Sequence, residues 1–135
     1  MLRNVLYLMV GAVVLAGCVV SVHTNECDIE GESGQVLRHV VLFKFKDGTS
    51  TEQIREIENA FRALPGKVDA ICDFEWGTDV SVENLQQGFT HCFMVTFRSE
   101  ADRAKYLPHP AHKEFGEMLG PHLDKVLVVD YWTKR

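Results

Sequence analysis

This chain of 135 residues lacks any block of basic side chains: its 14 lysines and arginines are scattered among 19 aspartates and glutamates. Binding a phosphate backbone needs clustered positive charge, so this scatter and the formal net charge of −5 exclude nucleic acid as a partner. Cysteine is also scarce, with Cys18, Cys27, Cys72 and Cys92 the only four, and none stands in the C-x-x-C spacing of a zinc ribbon. Only one long apolar run occurs, from Val5 to Val20, and its core of roughly a dozen residues is short against the ~20 needed to span a bilayer. What remains is the 46% hydrophobic content of a globular protein, at a length that suits one domain with one core.

The apolar run has the layout of an export signal, with Arg3 as the positive group ahead of it. Leu15-Ala16-Gly17-Cys18 completes that layout as a lipobox: an aliphatic residue, two small residues that fit a peptidase groove, and the thiol that carries lipid. Residues 1–17 are therefore expected to be a lipoprotein signal peptide, cut to leave Cys18 as the lipid attachment site on the outer side of a bacterial membrane. Loss of Arg3 would take the net charge from −5 to −6. With Cys18 acylated, three cysteines remain, an odd number for an oxidising compartment, so no disulfide framework is expected. Cys72 and Cys92 read as buried free thiols in apolar strands, and Cys27 as a tether thiol able to pair between molecules.

Residues 18–36 are polar and without periodicity, as a tether would be, and an ordered domain is expected over 37–133. Alternation from Leu37 to Lys46 predicts a first strand, with Leu37, His39, Val41, Phe43 and Phe45 on one face. Asp47-Gly48 turns the chain, and Ser50 with Gln53 forms a capping box for a helix whose apolar stripe is Ile54, Ile57, Phe61 and Leu64. A second strand is read from Val68 to Trp76, with Asp69, Asp73 and Glu75 as the solvated face of an edge, and a third from Phe89 to Phe97. A helix from Ser99 to Leu107 stops at Pro108, Pro110 opens another that ends at Gly120-Pro121, and Val126–Trp132 is the last strand.

The order β-α-β-β-α-α-β implies an α+β, ferredoxin-like unit: a four-stranded antiparallel sheet in the order 4-1-3-2, helices on one face. Val40, Leu42, Cys92 and Met94 on the other face are too apolar to stay wet, so a homodimer is expected there. Taken as parallel neighbours, strands one and three would also bring His39 and His91 together.

Arg38-His39-Val-Val-Leu-Phe-Lys-Phe-Lys46, Trp76-Gly77-x-Asp79, Gly88-Phe89-Thr90-His91 and Tyr106-Leu-Pro-His109-Pro110-Ala-His112 resemble the Dabb family, the stress-responsive dimeric α/β-barrel proteins, over about the last hundred residues. The resemblance implies two sheets packed into a barrel across a dimer. The family mixes stress-associated proteins with a plant polyketide cyclase. That enzyme's acid/base pair falls on Tyr106 and His112, and its other pocket histidines fall on His39 and His91. Where it carries a pocket tyrosine, this chain has Phe61.

The residues themselves suggest the same chemistry. Imidazoles in an apolar pocket favour the neutral form, so His112 could remove a carbon-bound proton while Tyr106 donates to the developing oxyanion. The expected ligand is a small hydrophobic molecule bearing a carbonyl, with no cofactor. Three imidazoles could also bind a divalent metal, but no local motif such as H-x-x-x-H supports one, and no metal site is assigned. The plainer alternative makes His39 and His91 satisfied core histidines of a non-catalytic dimerisation module. His109, between two prolines, reads as a surface residue.

Overall fold

A computed structural model describes residues 34–134; the export signal, Cys18, Cys27 and most of the tether lie outside them. Four strands, β1 (Leu37–Phe45), β2 (Asp73–Thr78), β3 (His91–Phe97) and β4 (Leu123–Trp132), and three helices, α1 (Thr51–Arg62), α2 (Glu100–Tyr106) and α3 (Pro110–Leu119), follow one another as β1-α1-β2-β3-α2-α3-β4. The sheet order β2-β3-β1-β4 is the one the sequence implies, with every neighbouring pair antiparallel. The fold is ferredoxin-like, helices on one side.

Local chemistry sets the element boundaries. Gly48 takes a positive φ of 85° after β1, where a side chain would be strained. The Ser50 hydroxyl then accepts from the Gln53 amide while the Gln53 side chain accepts from the Ser50 amide, so two orphan donors at the start of α1 are satisfied. At α2 the Ser99 hydroxyl alone is the cap, accepting from the Asp102 amide. Ile57 and Phe61 of α1, Tyr106 of α2, and Phe115 and Leu119 of α3 are buried against Val41, Phe43, Phe93, Val95 and Phe97 of the sheet. At the centre, Phe93 stacks on Phe61 with ring centroids 4.3 Å apart.

Several expectations are corrected. The β1–β3 pair is antiparallel, because β1 and β2 form a crossover pair and β3 returns between them from β2. His39 therefore lies opposite Val95, and His91 opposite Phe43. The two histidines are offset by four strand positions along the sheet, from His39 to Phe43, roughly 13 Å at the usual rise. The second strand begins at Asp73 rather than Val68. Pro65-Gly66 complete a 3-10 turn, Leu64–Gly66, and Val68, Ala70, Ile71 and Cys72 are buried in a bend closed by the Ile71 amide donating to the Val68 carbonyl. Three consecutive buried residues break the period of two, and Asp69 belongs to this bend, not to a strand edge. Cys72 is disulfide-bonded rather than a free thiol, and Cys92 is free but exposed on the outer face. The last strand starts three residues early, at Leu123, because the short turn Gly120–His122 delivers the chain directly to the sheet.

Candidate active site

The inner face of the sheet and the α2–α3 segment line an open cavity of about 460 Å³. Phe43, Phe61, Phe115, Leu119 and Leu123 form its apolar body, and Val126 and Val128 of β4 form a strand wall. Its polar lining is His39, Tyr106, His112 and Asp130. Three of the expected site residues thus meet here, with Phe61 in the apolar wall.

Tyr106 closes α2, and His112 lies in the first turn of α3. The segment between them is fixed by His109, whose Nδ1 accepts from the Ala111 amide, and by Pro110 as the first helical residue. His109 is therefore a helix cap. The Tyr106 and His112 rings come within 4.3 Å between centroids, and His39 meets Tyr106 edge-on at 5.9 Å. Burial pushes the Tyr106 hydroxyl well above the ordinary phenol range, so it stays protonated and serves as a donor.

The hydrogen bonds fix which imidazole nitrogen is protonated. His112 Nδ1 lies 3.0 Å from the Leu107 carbonyl oxygen, which can only accept, so Nδ1 donates. In the neutral ring Nε2 is then the lone-pair nitrogen. His39 Nδ1 lies 2.6 Å from Asp130 Oδ1, and an ionised carboxylate likewise only accepts. The polar end combines one hydroxyl donor with two imidazole acceptors, an arrangement suited to moving a proton beside a carbonyl.

His91 belongs elsewhere. Its Nε2 donates to Glu58 of α1 at 3.0 Å, its Nδ1 accepts from the Thr90 hydroxyl at 2.8 Å, and Phe45 packs edge-on at 5.1 Å. With both nitrogens satisfied it holds α1 to β3, and it does not line the cavity. The expected convergence of His39 and His91 fails with the parallel pairing that suggested it. Among the described residues no group of three or more His, Cys, Asp or Glu side chains is placed to hold a metal ion.

Asp130 and Arg103 escape motif reading. The signal for Asp130 is its phase: it shares the inward register of Val126 and Val128, where a charge needs a partner. Arg103 is its second partner, with Nη1 donating to Asp130 Oδ2 at 2.6 Å.

Residues 37–133 match the family described as Stress responsive A/B Barrel Domain. The stress-response A/B barrel domain-containing protein HS1 of Arabidopsis thaliana is 47% identical over 95 residues, 70% of this chain and 87% of that protein. Olivetolic acid cyclase of Cannabis sativa is 33% identical over 99 residues, 73% of this chain and 98% of the cyclase. The hydroxynitrile lyase of Passiflora edulis superposes with a TM-score of 0.69 at 31% identity, covering 73% of this chain and 94% of the lyase. A protein from Jannaschia, described as dimeric, ferredoxin-like and of unknown function, superposes at 0.63 with 25% identity, over 71% of this chain and 97% of its own.

Proposed function

We propose that this chain, which belongs to the stress-responsive A/B barrel (Dabb) family, binds a small hydrophobic carbonyl compound in the cavity and acts on it by acid/base chemistry. One observation carries the reading: a single apolar cavity has the Tyr106 hydroxyl, His112 and His39 at its polar end. His112 Nε2 takes a proton from the carbon beside the carbonyl, and Tyr106 donates to the oxygen as charge develops there. Likeness to olivetolic acid cyclase and to the hydroxynitrile lyase supports a small-molecule site. Phe61 leaves the far wall without a hydroxyl, favouring ligands that are apolar away from the carbonyl.

A thermal-shift screen of carbonyl compounds tests this. A ligand at one hundred times its Kd stabilises the protein by about 2.7 kcal/mol. His112→Ala is expected to keep its fold, since the ring is only half-buried, and to lose that gain. Equal ligand stabilisation of His112→Ala and wild type would make the residue structural.

The same reading places the domain on a membrane through a lipidated Cys18 and pairs it as a homodimer. Dimeric relatives support the pairing, as does the outer face, where Val40, Leu42, Met94, Leu127 and Val129 leave an apolar surface. This face also supports a second reading, a non-catalytic dimerisation module, which predicts no ligand in the screen. Lipidation rests on Leu15-Ala16-Gly17-Cys18. Metabolic labelling with a fatty acid should mark the wild type and leave Cys18→Ala unmarked; equal labelling of the two would refute it.

A further inference from the structure

We propose that Arg103 is a positioning residue that, through Asp130, holds His39 as a hydrogen-bond acceptor facing the ligand. The inference deepens the pocket reading and rests on it for its purpose. Asp130 stands on edge strand β4, directly opposite His39 in register. An aspartate there, 29% exposed, has room for several side-chain orientations. Here its two oxygens are engaged in different directions, Oδ1 by His39 Nδ1 and Oδ2 by Arg103 Nη1, both at 2.6 Å. The carboxylate cannot rotate without breaking one of the two bonds. A carboxylate only accepts, so both bonds run toward Asp130 and His39 Nδ1 is the donor in one of them.

The consequence reaches the cavity through the ring. With the Nδ1 proton committed to Asp130, neutral His39 keeps its lone pair on Nε2, which makes no hydrogen bond among the described residues. A ligand hydroxyl would donate to that nitrogen while its carbonyl accepts from Tyr106. Arg103 and Tyr106 lie three residues apart on α2, so one helix face carries both the donor and the anchor of the acceptor.

The test is the tautomer of His39, read from imidazole nitrogen signals of the full-length, ¹⁵N-histidine-labelled, ligand-free chain and assigned with His39→Gln. Wild type should show a protonated Nδ1 and a lone-pair Nε2. Arg103→Met should reduce that preference several-fold with the circular dichroism spectrum unchanged, and Arg103→Lys should restore part of it. A protonated Nε2 in the wild type, or the same tautomer in Arg103→Met, overturns the proposal. Because the readout needs no ligand, a failed carbonyl screen counts against the pocket's function, and an unchanged tautomer counts against Arg103 alone.

Discussion

Phe93→Ala is expected to destabilise the domain by about 3–5 kcal/mol, the range for removing a buried phenylalanine. Phe93 is wholly buried at the centre of the sheet. Its ring stacks on Phe61 at 4.3 Å and on Trp76 at 5.7 Å, and meets Phe43 at 5.2 Å. Three elements therefore lose contacts together, and rings held by a strand backbone on one side and a helix on the other cannot collapse into the gap. For a domain of about 100 residues, whose stability is usually about 5–15 kcal/mol, the melting temperature should fall by on the order of 20 °C. Chemical and thermal unfolding measure this directly. A loss below about 1 kcal/mol would show that the aromatic stack is not the main support of the core.

Val129→Glu is expected to turn the proposed dimer into a monomer. Val129 pairs with Val40 on the outer face and is 48% exposed in the single chain. In a two-fold interface each substitution occurs twice, so two carboxylates would be desolvated in one apolar patch at a cost of several kcal/mol. The helix side of the sheet is not touched, so each chain should keep its fold. Sedimentation of wild type and variant at micromolar concentration gives the answer. A dimeric Val129→Glu would move the interface elsewhere.

Much of this fold is legible in the residue pattern, for reasons that differ between elements. The capping box at Ser50, the turn at Gly48 and the proline at the start of α3 are local devices, and local chemistry decides them. β1 is legible because its two faces meet different surroundings, giving clean alternation. Val68–Cys72 imitates a strand because a buried bend can bury alternate residues too, and only Ile71 betrays it. The site divides along similar lines. Tyr106 and His112 are legible as a motif close in sequence, whereas the placing of His91 depends on strand direction, which residue spacing does not encode. Asp130 is 91 residues from the histidine it serves, and only the β1–β4 register joins them.

The break between α2 and α3 gives the spacing of Tyr106 and His112 a geometric meaning. Along an unbroken helix, six residues advance about 9 Å and turn through about 240°, which would send the two side chains to different sides. Pro108, the His109 cap and Pro110 interrupt that screw, and the rings come within 4.3 Å. A tyrosine and a histidine six apart are thus not a signature in themselves. In a chain whose intervening residues favour continuous helix, the same two letters would stand at the same interval and never meet, so the prolines belong to the chemistry as much as the pair they bring together.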